Sequence, residues 1–231
     1  SQPAGDPDHQ KHQQPGLNQS NGTAAQAVGK MQARPLQHQV RRPDENLESP
    51  QQQREGDDIQ NTIDHLGSDI DLLINNAGIS YVGLINDMTA QDFDRTMKSN
   101  VYSVFNSCRL VVPHMIQHHK GHIINISSVW GNVGASCEVA YSASKGAVNS
   151  FSKALGKELA PSGITVNAIA FGAIDTSMNG HLSPEERQML EDEIPAGRMA
   201  IPSEAADFIV HIAECGEYLN GQVITFDGAW Q

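Results

Sequence analysis

The chain has 231 residues, 39% of them hydrophobic, and a formal net charge of -12. That length suits one α/β domain and crowds two, no run approaches the roughly 18 apolar residues of a membrane-spanning helix, and no basic patch followed by an apolar stretch marks a secretory signal. The acidity argues against a nucleic-acid backbone as partner, because phosphate binding needs a basic footprint.

Composition changes sharply along the chain. Residues 1–57 hold none of the twelve Phe, Trp and Tyr residues and no isoleucine, yet carry twelve of the eighteen glutamines and six of the eleven prolines. So little apolar area cannot offset chain entropy, so 1–57 is expected to be a poorly ordered, low-complexity segment. A domain is expected over 58–231. The three cysteines, Cys108, Cys137 and Cys215, form no CxxC pair and suit a reduced cytoplasmic protein.

From Asp58 the pattern becomes regular. Ile59, Ile63 and Leu66 recur at helical spacing, with Gly67 as the stop. Ile70 to Ile74 reads as a short buried strand ending in Asn75-Asn76-Ala77-Gly78, and Thr89 caps a helix from Ala90. Asn100 opens a long helix whose apolar stripe runs from Val101 to Ile116, until Gly121 breaks it. A strand follows at His122 to Ile126 with Ser127-Ser128 at its end, then a loop and a helix from Tyr141 to about Leu159. Ile164 to Ala170 is a strand, Ser183-Pro184 opens a helix, Ser203 to Ala213 forms another, and Gln222 to Phe226 is the last strand. This alternation predicts a parallel sheet covered on both faces. Its ligands gather beyond the C-terminal strand ends, so Asn76, Ser128 and Phe171 are expected on one rim.

Tyr141 and Lys145 stand four apart on a predicted helix and share a face. A tyrosine titrates near 10 and needs tuning to work at neutral pH; an ammonium one turn away favours its phenolate. Alone, such a pair is far more often an ordinary helix surface pair. Ser128, thirteen residues earlier, is placed to donate a hydrogen bond beside the phenol.

The strings IDLLINNAG, the Asn of KSNVYSVF, IINISS, YSASK, VNAIAFGAIDT and LNGQVITFDGAW occur in an order and spacing that resembles the short-chain dehydrogenase/reductase family from about Asp58 onward. Within it, AIDTSMN, EIPAGRMAIPSEAADFI and GQVITFDG look most like 3-oxoacyl-[acyl-carrier-protein] reductases, and resemble the related reductases of the 5-aminopentanone group on elongation factor P. The resemblance implies a Rossmann-like doubly wound parallel sheet and NAD(P)H-dependent reduction of a carbonyl to an alcohol. The substrate would be a small-molecule or carrier-bound carbonyl, favouring a 3-oxoacyl thioester, with NADP(H) favoured over NAD(H) and no metal. Tyr141 would be the general acid, Ser128 would polarise the carbonyl oxygen, and Lys145 would lower the Tyr141 pKa and bind the nicotinamide ribose. Asn100 would anchor a water relay. Asn76, Ala77 and Gly78 would line the adenosine side, while Ile174 and Thr176 would contact the carboxamide and phosphates. A homodimer or homotetramer is implied, the Val101–Ile116 helix contributing to its interface.

Two departures stand out. Phe171-Gly172 replaces the family's Pro-Gly, which is expected to loosen the loop beneath the nicotinamide. The N-terminal β-α-β phosphate-binding unit is absent or altered, because Gly5, Gly16, Gly22, Gly29 and Gly56 never reach the Gly-rich spacing that cradles a diphosphate. The alternative reading is therefore a catalytically compromised fragment or pseudoenzyme. His114, His118, His119 and His122 look like a metal cluster but lack a nearby acid or cysteine, and suit a helix C-terminus. The acids Glu185, Glu186, Glu191, Asp192 and Glu193 read as a solvated helix face, in a segment that the family uses as a lid. In the loop before Tyr141, Trp130 and Cys137 either touch substrate or pack that loop.

Overall fold

The computed structural model describes residues 60–61, 63–64, 70–180 and 182–231. The expected low-complexity segment 1–57 lies outside the described residues. So does most of the Ile59–Leu66 helix, of which Gln60, Asn61, Ile63 and Asp64 are described as helical.

Strand β1 (Leu72–Asn75) is followed by helix α1 (Ala90–Met97), a π-helical turn at Lys98–Tyr102, and helix α2 (Ser103–His118). Then come β2 (Gly121–Ser128), a short α3 (Trp130–Val133), the long α4 (Val139–Leu159) and β3 (Ile164–Phe171). Helices α5 (Pro184–Glu193) and α6 (Pro202–Glu214) precede β4 (Val223–Phe226). The sheet order is β1-β2-β3-β4, every pairing parallel, so all C-terminal strand ends share one rim.

Successive strand residues face opposite sides, and the two cores follow from that alternation. Ile123, Ile164 and Val166 pack with Val104, Val111 and Met115 of α2 and Val148 of α4. Ile124, Ile169 and Phe171 face the other way, onto Phe208, Ile209 and Ile212 of α6 and Phe226 of β4. All eight residues of β3 are buried. Its lower half lies beyond the reach of β4, which pairs only with Ala168–Phe171. There the Asn220 side chain substitutes for a strand, accepting the Val166 N–H at 2.8 Å and donating to the Ile164 carbonyl at 3.0 Å. Buried backbone groups are thereby satisfied.

Three expectations are corrected. First, β1 is half-exposed, not buried: Leu72 and Ile74 are 40% and 42% exposed, because among the described residues β1 has a strand neighbour on one side only. Second, Gly121 does not end the long helix. His119 does, turning left-handed at φ 50°, while Gly121 begins β2 where a Cβ would collide with Met115. Third, Asn100 does not open the helix; it lies within the π turn joining α1 to α2, and such turns re-aim a side chain without breaking the helix.

Candidate active site

Asn100 is 1% exposed and clamps the segment after the Asn-Ala-Gly turn in both directions. Its Oδ1 accepts the Ile79 N–H at 2.8 Å, and its Nδ2 donates to the Ile79 carbonyl at 2.9 Å and to Ser144 Oγ at 2.9 Å. Ser144 in turn donates to the Tyr141 carbonyl at 2.7 Å, so one buried amide fixes both Gly78's neighbour and the first turns of α4. Both amide hydrogens are committed to protein, leaving only an Oδ1 lone pair on this side chain for the water relay.

Ser128 ends β2, where it pairs in register with Phe171. Its Oγ accepts the Trp130 N–H at 3.2 Å, which leaves the hydroxyl hydrogen to donate elsewhere. It hydrogen-bonds the Tyr141 phenol, an interaction that pulls the phenol pKa down. Burial pushes it up more strongly, the negative charge of Glu138 adds to the rise, and the phenol stands above its ordinary value. The Lys145 charge is not among the causes of this shift. The Lys145 Nζ sits 5.6 Å from the ring centroid and donates instead to the Ile126 carbonyl at 2.8 Å. Lys145 is 4% exposed, and burial lowers its pKa from 10.5 to about 8.

Gly78 packs flush on this group. A Cβ there would stand 3.3 Å from Lys145 Nζ and 3.4 Å from Asn100 Oδ1. Asn76 and Ala77 are exposed at the same rim, although β1 ends opposite Asn125, three positions below the Ser128–Phe171 pair. Ile174 packs against the second core and bridges to Ala200, and Thr176 is exposed ahead of a 3-10 turn at Ser177–Asn179.

Phe171 does not loosen its loop. Its ring is 8% exposed and meets Phe226 edge-on at 5.7 Å, its carbonyl accepts the Val129 N–H at 3.0 Å, and the strand stays regular through it. Trp130 packs edge-on against Trp230 at 4.8 Å. The histidines make local bonds, His118 to the His114 carbonyl at 2.8 Å and His122 to Thr165 Oγ1 at 2.9 Å. Among the described residues no group of three or more His, Cys, Asp or Glu is placed to hold a metal, and no helix is long and apolar enough to cross a membrane.

Two contacts at the rim escaped the sequence reading. Ser80 Oγ donates to Glu138 Oε2 at 2.6 Å, and Arg187 grips Asp175 through two bonds of 2.9 and 2.8 Å. The first had a visible signal, an acid three residues before Tyr141 on the same helical face; the second had none.

The sequence model of the short chain dehydrogenase family matches residues 18–187, beginning well upstream of Asp58. The chain is 44% identical over 162 residues to the Bacillus subtilis protein named uncharacterized oxidoreductase YmfI, covering 70% of this chain and 67% of that one. It is 41% identical over 160 residues to the 3-oxoacyl-[acyl-carrier-protein] reductase FabG of Thermotoga maritima, covering 69% and 65%. It is 38% identical over 173 residues to that of Aquifex aeolicus, covering 74% and 68%. The chain thus spans about two thirds of the length of these curated relatives. With a parallel Rossmann-like sheet and a family match over most of its length, the chain belongs to the short-chain dehydrogenase family.

Proposed function

We propose that this chain reduces a carbonyl to an alcohol with NAD(P)H, through a domain formed by residues 58–231. The observation that carries the reading is the Ser128–Tyr141–Lys145 group at the C-terminal rim of the sheet, with Ser128 and Lys145 buried and Tyr141 half-buried. A nicotinamide cofactor in its reduced form supplies hydride to the carbonyl carbon. The chain's part is the proton. The Ser128 hydroxyl donates to the carbonyl oxygen and holds it beside Tyr141. The Tyr141 phenol, kept protonated by burial, is the acid that delivers its proton to that oxygen as negative charge develops there. The Lys145 ammonium stabilises the phenolate left behind.

The residues present fit half of such a cofactor. An ammonium carries three donors and Ile126 takes one from Lys145, which suits a ribose diol. Gly78, without a side chain, leaves that ammonium uncovered on its side. Asn76, Ala77, Ile174 and Thr176 are the further candidates for contact. For the diphosphate half, the glycines of residues 1–57 lack the required spacing. That observation favours the second reading, a catalytically compromised member of the family. The FabG names favour a 3-oxoacyl thioester as substrate, and the family resemblance implies NADP(H) over NAD(H). The charge of -12 repels an acidic carrier at long range, and the alternative substrate is the 5-aminopentanone group of elongation factor P, which the sequence resemblance implies. Exposed Phe93 on α1, Tyr102 in the π turn, and Phe105 and Ile116 on α2 support a homodimer or homotetramer, and three free cysteines support a reducing, cytoplasmic setting.

Titration with NADPH and NADH, followed by nicotinamide fluorescence, tests the reading together with a 3-oxoacyl thioester assay. Micromolar binding and a turnover that falls about 100-fold or more in Tyr141→Phe are expected. Absent binding would establish the compromised-member reading.

A further inference from the structure

Both tryptophans of the chain stand in one contact, Trp130 edge-on to Trp230 with ring centroids 4.8 Å apart and planes at 62°. Trp130 opens α3, and its N–H is the one that Ser128 Oγ accepts at 3.2 Å. That bond occupies one lone pair of the hydroxyl and so limits the directions in which its hydrogen donates. The placing of the Trp130 backbone therefore bears directly on Ser128. A single turn of helix does not hold such a position by itself, because nucleation costs more than its few hydrogen bonds return, and no side chain caps α3.

Trp230, by contrast, is held firmly. Beyond β4 the Asp227 carboxylate accepts the Ala229 N–H at 3.0 Å on one oxygen and the Gln231 N–H at 2.9 Å on the other. The chain between turns left-handed twice, at Gly228 (φ 68°) and Ala229 (φ 66°). That conformation is uncommon for a residue with a Cβ, and it persists at Ala229 because the contacts around it impose it. The Gly228 carbonyl accepts the Ala196 N–H at 3.1 Å, and the Gly172 N–H donates to the Phe226 carbonyl at 3.0 Å. A Cβ at Gly172 would stand 2.7 Å from Asp227 Cβ, so the turn rests directly on the end of β3. The same strand end holds the Ser128 loop, since the Phe171 carbonyl accepts the Val129 N–H. The turn after β4, the end of β3 and the loop from Ser128 to Trp130 form one closed frame, and the indole pair is its side-chain link.

We propose that Trp230 is a positioning residue for Ser128: its ring holds the Trp130 indole, the Trp130 N–H fixes the Ser128 hydroxyl, and the hydroxyl is aimed at Tyr141 and the substrate carbonyl. Its catalytic consequence rests on the carbonyl-reductase reading. A hydroxyl already pointing the right way needs no reorganisation as negative charge develops on the carbonyl oxygen.

The test is a cycle of variants of the full chain, carrying tyrosine isotope-labelled at Cζ and read by NMR without cofactor or substrate. The Tyr141 signal is assigned by its loss in Tyr141→Phe, and its shift reports the hydrogen bond between Ser128 and the phenol. Ser128→Ala sets the shift of the phenol without that bond. Trp230→Leu, which fills much of the space but offers no aromatic edge, is expected to move the signal most of the way to that value. Trp230→Phe, which keeps an edge, is expected to stay near the parent. Asp227→Ala, which unties the turn and keeps both indoles, is expected to move the signal the same way as Trp230→Leu, so the answer does not hang on one variant's folding. On the Ser128→Ala background Trp230→Leu is expected to move nothing further, whereas altered packing or ring current around Tyr141 would move the signal there too. A parent-like shift in Trp230→Leu and Asp227→Ala, or an equal displacement on both backgrounds, would overturn the proposal. In turnover with NADPH and acetoacetyl-coenzyme A, Trp230→Leu is expected to lower kcat about tenfold and to leave the NADPH KM within about twofold. An unchanged kcat overturns the proposal as well. The expected NMR cycle in a chain that reduces no 3-oxoacyl thioester sustains the placing of Ser128 by Trp230 and removes the reductase reading.

Discussion

Gly131 on α3 lies against the backbone of Lys145 on α4: a Cβ at Gly131 would stand 2.7 Å from the Lys145 carbonyl carbon and 2.9 Å from its Cβ. The main chain cannot swing aside as a side-chain tip can. Gly131→Ala is therefore expected to push the two helices apart and to cost about 1–3 kcal/mol, the usual penalty of overpacking. Urea denaturation reads it directly. A variant as stable as the parent would mean that α3 yields freely, and the Lys145 position would then owe little to this contact.

Lys145 itself destabilises the fold at neutral pH. Burial holds its folded pKa near 8, against 10.5 in an open chain. Between those values the unfolded chain binds more protons, so this group makes stability rise with pH across the window. Below about pH 8 its full cost remains, on the order of 3 kcal/mol. Lys145→Met is expected to be more stable than the parent at neutral pH, with the advantage disappearing as the pH nears the open-chain value. Paired urea unfolding curves at neutral pH and near pH 10 check this. A less stable variant at neutral pH would show that the hydrogen bond to Ile126 outweighs desolvation.

The parts of this fold that are local in sequence were legible before the structure. Thr89 caps α1 in a reciprocal box with Asp92, and Ser183 does the same for α5 with Glu186. The apolar alternation of β2 and β3 set both cores. What stayed hidden depends on geometry that no short window carries. The π turn leaves the apolar stripe of the helix intact while moving Asn100 into its middle. The exposure of Leu72 and Ile74 depends on which strands flank β1. The Phe171 loop stays firm because of Phe226, fifty-five residues on. At the site, residue types and spacing brought Ser128, Tyr141 and Lys145 into view, but not their electrostatics. At Tyr141 burial outweighs the Ser128 hydrogen bond, and burial is a property of the packed chain.

Cys108 gives a separate reading of the core. It is 2% exposed, receives the Asn75 amide at 3.6 Å, and burial pushes its thiol pKa up to about 12. The thiolate is the reactive form. In the native chain Cys215, which is exposed, and Cys137, half-buried, are expected to react with a disulfide reagent while Cys108 stays silent until the fold opens. Counting thiols with and without denaturant checks this: two against three. Three in the native chain would mean that the α2–β1 contact opens readily.

Helix α5 has no buried residue, so apolar packing does little to hold it. The grip is polar. Arg187 reaches Asp175 through both terminal nitrogens and Glu191 through Nε at 3.1 Å. Asp175 is anchored by its own N–H on the Ala200 carbonyl at 2.8 Å. The guanidinium holds the Asp175 carboxyl below the usual range, so the grip persists as pH falls and fails only once that carboxylate is protonated. Arg187→Ala is expected to leave the global melting temperature within about 2 °C, as exposed substitutions do. It should nevertheless speed limited proteolysis between Ser177 and Glu193 several-fold, because local opening and global unfolding draw on different contacts. The exchanged pair, Asp175→Arg with Arg187→Asp, should restore part of the protection that Arg187→Ala removes. If cleavage in this segment is no faster in Arg187→Ala, something other than the ion pair secures α5.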